Sequence, residues 1–280
     1  MSAARHLELN PRQQLILERL ERAGRVQVAA LSRELGVSEV TTRKDLQELE
    51  QASLLKRVYG GAVAAHRSKY NLSLGDKVGQ RAADKLRIAE AALGLIHDGD
   101  TVILDAGSTT LALARLLPRR RRQLTVITNA LPILAELSAA SGLELIALGG
   151  IVRRHSLAMV GPQAVAGLRG LHADMAFLGA TGATLEQGLS TPNLIKAETK
   201  AAMIASATEC TALLDGSKFG QASLAPFAPW EALRYLVTDA DVRGELRDHL
   251  EVCGVTFIRA VQGPGVEVSC VSSTTGFSNA

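Results

Sequence analysis

Hydrophobic positions in the first sixty residues recur at helical spacing. Leu15, Ile16 and Leu20 form a stripe over residues 11–23. Asn10 is placed to cap this helix, and Pro11 suits its first position, where no backbone donor is needed. Gly24 ends it, and Val26–Val28 reads as a short extended link. Residues 29–35 form a second helix with Leu31 and Leu35 on one face. Gly36-Val37-Ser38 is a tight turn, and Ser38 is placed to cap a third helix running to about Gln51. Leu54–Val58 alternates like a strand, and Gly60-Gly61 turns the chain. Helix, helix, turn, helix, strand and glycine turn is the order of a winged helix-turn-helix.

The third helix has two faces. At the helical period, Leu46 and Leu49 fall with Thr42, while Val40, Arg43, Lys44 and Gln47 fall opposite. One side is built to pack, and the other presents two cations and an amide. A helix fits the major groove of DNA, and such side chains reach phosphates and base edges. Ser38 and Thr41 open the helix. Lys56, Arg57, Tyr59 and Gly60 form a basic strand and turn suited to the flanking backbone. A three-helix bundle with solvated charges would share parts of this pattern. The helix spacing, the Gly-Val-Ser turn and the basic face together favour a DNA-binding module.

The rest of the chain alternates between apolar runs and helical patterns. Residues 66–80 are polar and read as a linker or a dimerising edge. A helix is expected at about Arg81–Ile96, carrying Leu86, Ile88, Ala92, Leu93 and Ile96. Strands are expected at Thr101–Leu104, Leu124–Ile127, Leu143–Leu148, Ala173–Leu178, Thr211–Leu214, Tyr235–Val237 and Val255–Ile258. Helices are expected at Leu111–Leu117, 131–140, 193–208 and near 241–250. Strands alternating with helices imply a parallel sheet covered on both faces, and so an α/β class. The organisation expected is a DNA-binding domain at 1–65, a linker at 66–80, a larger α/β domain at 81–260 and a loose tail at 261–280.

Composition narrows this picture. The 280 residues are 47% hydrophobic and 21% charged, with a net charge of +3. That is globular, with no apolar run long enough for a transmembrane helix and no apolar signal core near the start. Cys210, Cys253 and Cys270 are an odd number without metal-type spacing, which fits a reducing cytoplasm. The six histidines (His6, His66, His97, His155, His172 and His249) show no metal-ligand pairing, so no metal or cofactor is expected. Charge is unevenly spread. Residues 1–69 hold 12 Lys+Arg against 8 Asp+Glu, a net of +4, and residues 70–280 hold 19 against 20, a net of −1. The surplus belongs to the DNA-binding candidate. Because +4 is modest, paired heads in a dimer or tetramer are expected to supply much of the affinity. The basic run Arg119–Arg122 follows a helix and reads as a solvated loop.

Ligands of open parallel sheets bind outside the carboxyl ends of the strands. Small polar residues gather there. Asp105-Ala106-Gly107-Ser108-Thr109-Thr110 follows the first strand and opens a helix, where an anion is favoured. Asn129, Gly149-Gly150 and Lys218, which follows Asp215-Gly216-Ser217, would line the same mouth. The loop lacks the Gly-Lys-Ser/Thr ending of a Walker loop and is not the dinucleotide fingerprint. Gly, Ser and Thr end strands in every α/β protein, yet four such loops, one with a lysine, favour a small phosphorylated or polyhydroxyl ligand. Asp105, Asp215 and Glu198 are the carboxylates available for acid–base work, but the sequence alone identifies no pair.

Two sets of residues resemble the DeoR family of bacterial sugar-responsive transcriptional regulators. The first is Val37-Ser-Glu-Val-Thr-Thr-Arg-Lys-Asp-Leu46 with Leu54-Leu-Lys-Arg-Val-Tyr-Gly-Gly-Ala62. The second is Leu104–Thr110, Val126–Asn129, Leu148–Gly150, Val160–Pro162 and Leu214–Gly220. The resemblance runs collinearly over about residues 10–260. It implies a winged helix-turn-helix joined to a sensor similar to the ribose-5-phosphate isomerase and CoA-transferase folds. It further implies a repressor of a sugar-catabolism operon, released from operator DNA by a phosphorylated sugar, with effector contacts at Asp105, Gly107, Ser108, Thr109, Thr110, Asn129 and Lys218. The enzyme-like fold would then serve sensing. The alternatives are a sugar-phosphate isomerase or deaminase carrying a DNA-binding appendage, and a DNA-binding module joined to a ligandless oligomerisation domain. Thr42, Lys44 and Ser53 depart from the family pattern. Lys44 forgoes the bidentate base reading of an arginine, and Thr42 is expected to loosen helix packing.

Overall fold

The computed structural model describes residues 10–23, 25–51, 55–64, 74–120, 123–261 and 266–269. The chain divides into two units, Met1–Leu72 and Ser73–Ala280.

The first unit contains α1 (Pro11–Ala23), β1 (Arg25–Gln27), α2 (Val28–Leu35), α3 (Glu39–Gln51), β2 (Leu55–Val58) and β3 (Gly61–Ala64). Asn10 and Gln13 cap α1 reciprocally. Asn10 Oδ1 accepts from the Gln13 N–H at 2.9 Å, and Gln13 Oε1 accepts from the Asn10 N–H at 3.2 Å. Ile16, Leu20, Leu31, Leu46, Leu49 and Leu55 fill a small core. Leu15, expected on the packed stripe, is 53% exposed, and buried Gln13 takes part of that face instead. Thr42 does not loosen the helices. It is fully buried, and its hydroxyl shares a 2.8 Å hydrogen bond with Ser32 on α2. The polar atom that would be costly in an apolar core is therefore satisfied across the α2–α3 contact.

The glycine turn also differs from expectation. Tyr59 and Gly60 make the turn, with Gly60 at φ +74°, and Gly61 begins β3. The three strands form an antiparallel sheet in the order β1-β3-β2. A Cβ on Gly61 would lie 1.9 Å from the Val26 carbonyl oxygen, so only glycine lets β1 and β3 close. The strand expected at 54–58 begins at Leu55 among the described residues, and Leu54 and Ser53 lie outside them.

The second unit runs α4 (Leu74–Gly79), α5 (Ala82–Leu93), β4 (Thr101–Leu104), α6 (Ser108–Arg120), β5 (Leu124–Thr128), α7 (Leu131–Leu137) and β6 (Leu143–Ala147). It continues with β7 (Ile151–Arg153), β8 (Ala158–Val160), α8 (Pro162–Leu168), β9 (Ala173–Leu178), β10 (Gly182–Thr184), β11 (Gly188–Thr191) and α9 (Leu194–Ala205). It ends with β12 (Ala207–Leu214), β13 (Ala225–Ala228), β14 (Tyr235–Thr238), α10 (Glu245–Val252), β15 (Thr256–Ala260) and β16 (Val266–Ser269). The main sheet has the order β16-β15-β14-β12-β9-β4-β5-β6, and every neighbouring pair is parallel except β15 with β16.

Successive residues of a strand point to opposite faces, and here both faces are buried. Val102 and Leu104 join Ile88, Leu113 and Phe177 on one side of the sheet. Ile103 joins Leu178, Met203, Leu214 and Trp230 on the other. That is why the strands read as unbroken apolar runs. On α5, Leu86 is 46% exposed and does not belong to the packed face expected for it.

Three expectations are corrected here. Within the stretch read as a linker, residues 74–79 form α4, whose Leu74 is buried and donates its N–H to the His155 carbonyl at 2.8 Å. Residues 65–73 lie outside the described residues. In the stretch read as a loose tail, Val266–Ser269 pairs antiparallel with β15, while 262–265 and 270–280 lie outside the described residues. Arg119 and Arg120 belong to the last turn of α6, with Arg121 and Arg122 outside the description.

Gly61→Ala is expected to destabilise the first unit by more than ~2 kcal/mol, since the methyl group cannot fit without parting β1 from β3. Amide hydrogen exchange on the full chain checks it. Protection should fall in residues 25–27 and 61–64 and stay unchanged in residues 74–261.

Candidate functional site

In the first unit, two part-buried contacts from α1 aim α3. Asp45 is 2% exposed and receives two hydrogen bonds from the Arg12 guanidinium, at 2.5 and 2.9 Å. Gln13 Nε2 donates to Glu48 at 2.7 Å. Ser38 caps the helix, its Oγ accepting from the Thr41 N–H at 3.2 Å. The expected outward face is exposed at Val40, Arg43, Lys44 and Gln47, with Val40 74% exposed and Thr41 half-buried beside it. Arg43 leans on Glu39 at 2.6 Å, an exposed pair of little net worth. The wing is tied to α3 where the Arg57 N–H donates to Glu50 Oε1 at 2.8 Å. Arg57 and Gly60 are exposed, and Tyr59 at the tip is fully so. The Lys56 side chain lies outside the described residues.

In the second unit, the sheet order sets the site. From β4 the chain steps outward through β5 to β6, and from β9 it steps the other way through β12, β14 and β15. β4 and β9 therefore flank the reversal point, where open α/β sheets form a crevice. Asp105 follows β4 and Gly179 follows β9, and they meet. The Gly179 N–H donates to Asp105 Oδ2 at 3.3 Å. Lys200 of α9 donates to the same carboxylate oxygen and, at 2.8 Å, to the Gly179 carbonyl. Lys200 is 3% exposed and Asp105 1%. Phe227 lies against the amine, 5.0 Å from its ring centre. Asp105 Oδ1 is buried with no hydrogen-bond partner among the described residues.

The residues expected around this point split into two groups. Gly107 and Ser108 are half-buried at the start of α6, where first-turn N–H groups lack helical partners. Thr109 and Thr110 are buried, and the Thr110 hydroxyl donates to the Asp105 and Gly107 carbonyls at 2.6 and 3.0 Å. Asn129 Oδ1 accepts from the Ala106 N–H at 2.9 Å, and its Nδ2 donates to the Met159 carbonyl at 3.0 Å. Thr110 and Asn129 thus shape the loop from behind. Gly149 and Gly150 are exposed after β6, two strands out from β4, about 10 Å along the sheet. Lys218 lies 3.5 Å from Asp215 Oδ2, after β12. Glu198 is exposed on α9 and stands apart from the Asp105–Lys200 pair.

Sequence reading missed most of the positive charge. Lys200 and Lys196 lie one helical turn apart on α9, and the intervening Lys-Ala-Glu-Thr-Lys reads as an ordinary solvated helix. Lys77 and Lys85 sit on and beside the unexpected α4. The buried Lys85 amine donates to the Lys77 and Gln80 carbonyls and so closes that helix. Burial, then repulsion from Lys218, Lys200 and Lys85, lowers the Lys77 amine to about 8. Burial, then repulsion from Lys200, lowers half-buried Lys196 to about 7, with Asp105 opposing. Burial opposes ionisation of Asp215, but the Ser217 hydroxyl and Lys218 hold it below the usual carboxylate range. Nearby Asp84 and Asp239 are taken up by Arg81. Positive groups at the mouth outnumber the carboxylates left to balance them, a charge state suited to an anion.

Residues 12–68 match the DeoR-like helix-turn-helix domain family, and residues 80–240 match the DeoR C terminal sensor domain family. A putative aga operon transcriptional repressor of Escherichia coli O157:H7 is 36% identical over 88% of this chain and 92% of its own length. The transcriptional regulator GlpR of Haloferax volcanii is 35% identical over 84% of this chain and 91% of its own. Among solved structures, ribose 5-phosphate isomerase A of Methanocaldococcus jannaschii aligns with a TM-score of 0.36 at 20% identity, covering 48% of this chain and 53% of that one. Among the described residues, no helix is long and apolar enough to cross a membrane.

The Lys196 amine gives a signed expectation. Its value is depressed from 10.5 to about 7, so between those limits the folded chain binds fewer protons than the unfolded chain. The strain of holding it charged is fully present below about 7 and is relieved progressively as pH rises from about 7 to 10.5, so its contribution makes stability increase with pH across that window. Lys196→Met keeps the stem and removes the charge. Its Tm should exceed that of the wild type most at pH 6, with the gap narrowing above pH 7 and still partly open at pH 9.

Proposed function

The chain belongs to the DeoR family of transcriptional regulators, and from that premise we propose that it represses a sugar-catabolism operon and leaves its operator when a phosphorylated sugar binds the second unit. The observation that carries the ligand half is the buried Asp105–Lys200 pair at the reversal point of the sheet, with the Lys218 amine at the end of the next strand, β12. A phosphate there would meet Ser108, the first N–H groups of α6 and the Lys218 amine, with Thr110 and Asn129 holding the loop in shape. Sugar hydroxyls would reach the free Oδ1 of Asp105. Gly149 and Gly150, at the sheet edge, would contact only a ligand extending that far. Ligand binding weakens DNA binding only if the two states differ in ligand affinity.

The DNA half rests on the exposed face of α3. Arg43, Lys44 and Gln47 would read the major groove, Ser38 and Thr41 would meet the phosphates at its entry, and Lys56, Arg57, Tyr59 and Gly60 would follow the flanking backbone. Paired heads in a dimer or tetramer would supply the affinity that one modestly basic head lacks.

Arg43→Ala and Lys44→Ala are each expected to weaken operator binding by roughly 1–3 kcal/mol and to reduce the salt slope by about one. Fluorescence anisotropy across a salt titration measures both, and unchanged slopes in both variants would remove α3 as the reading helix.

For the ligand, Lys218→Ala is the cleaner probe. Asp105→Ala would strand the buried Lys200 amine at a cost of ~3–5 kcal/mol. With Lys218→Ala, operator affinity should persist while the phosphosugar needed for release rises about tenfold or more, as expected for losing a charge-assisted contact. Release at the wild-type concentration would exclude Lys218. One observation favours a second reading: a buried carboxylate with a free oxygen is also what a general base requires. Incubating the protein with pentose and hexosamine phosphates decides it, because isomerised product would assign turnover.

A further inference from the structure

A second cluster lies outside the mouth of the sheet. His249 is in the last turn of α10, and Cys253 closes that helix one turn later. Glu231 belongs to a short 3-10 helix, Trp230–Ala232. Cys253 Sγ lies 3.4 Å from His249 Nε2, and His249 Nε2 lies 3.9 Å from Glu231 Oε1. All three ligand atoms fall within 4.8 Å of one another.

We propose that Glu231, His249 and Cys253 bind a single Zn2+ ion. A tetrahedral zinc centre with usual bond lengths, about 2.0–2.3 Å, places its ligand atoms about 3.4–3.6 Å apart. The separations of 3.4 and 3.9 Å lie close to that range and the third pair is within 4.8 Å, so rotation of the exposed Glu231 side chain has at most about 1.3 Å to supply. The donor set also selects the metal. A thiolate with an imidazole favours a borderline ion over magnesium or calcium, which take oxygen ligands. One thiolate and one carboxylate balance the charge of a divalent ion. The Glu231 side chain is 61% exposed, so the fourth position opens to water.

The two ligand-bearing segments are fixed from beneath. Trp230 is 1% exposed, and its indole N–H donates to the Thr184 carbonyl at 2.9 Å. Leu250 is fully buried in the same core cluster. The ligands therefore project from anchored backbone, which lowers the ordering cost of capture. A bound ion would cross-link α10 to the turn before β14, where the resting contacts are the 3.4 Å thiol–imidazole approach and the 3.9 Å imidazole–carboxylate approach.

The test uses the full chain, stripped with a chelator and dialysed. Zn2+ alone is titrated calorimetrically, and Co2+ serves as the optical probe. The wild type should take one equivalent, show a thiolate-to-cobalt charge-transfer band, and melt higher as free Zn2+ rises, with no response to Mg2+. Cys253→Ser and His249→Ala should each lose more than the roughly 10–100-fold typical of changes one shell further out. Glu231→Gln should lose less. Circular dichroism verifies that each variant is folded. Should either inner variant unfold, the cobalt spectrum of the wild type still decides, because the band requires a thiolate ligand. A wild type with no thiolate band, or wild-type Zn2+ affinity retained in folded Cys253→Ser and His249→Ala, would overturn the site.

Discussion

The second unit is organised around one buried ion pair. Asp105 and Lys200 sit where the sheet reverses direction, and they join three separate pieces of chain: the end of β4, the end of β9 and the middle of α9. Burying two opposite charges costs several kcal/mol per ion, and mutual attraction offsets it only when the remaining donors and acceptors are satisfied. Here the Gly179 peptide supplies a donor to Asp105 and an acceptor to Lys200. One carboxylate oxygen stays unmatched. A structural pair would close that account internally. This one leaves an acceptor of Asp105 unmatched among the described residues.

The surrounding amines extend the same imbalance. Lys77 is repelled by Lys218, Lys200 and Lys85, and Lys196 by Lys200 and Lys77, while burial strips water that would otherwise screen them. An anion entering such a field would favour the charged forms of Lys77 and Lys196. Binding and protonation are then coupled. The loop that presents the helix N-terminus needs no adjustment, because Thr110 and Asn129 already hold it by internal hydrogen bonds.

Much of this was readable from the sequence, for specific reasons. The three helices of the first unit and the central strands of the second follow apolar periodicity, and α3 faces outward where its period requires. Strand-end loops at Asp105, Asn129 and Lys218 were visible because a parallel sheet turns toward its ligand at those ends. Lys200 was hidden, since nothing local distinguishes a helical lysine that folds inward onto a carboxylate ninety-five residues away from one in water. Strands β7, β8, β10 and β11 escaped because three- or four-residue strands carry little periodic signal. Thr42 shows a limit of family patterns: an apolar position accepts a hydroxyl when a neighbour such as Ser32 can share it.

The chain contains a single tryptophan, Trp230, sealed in the core of the second unit with its indole N–H tied to Thr184. Its emission therefore reports on that unit alone. The aromatic group at the tip of the wing is a tyrosine, fully exposed, and it contributes at shorter wavelengths. The tyrosines divide less cleanly, because Tyr235 of β14 lies in the second unit with Trp230. Opening of the α/β core would shift the tryptophan band toward the red as water reaches the indole, and no change confined to the first unit would imitate it.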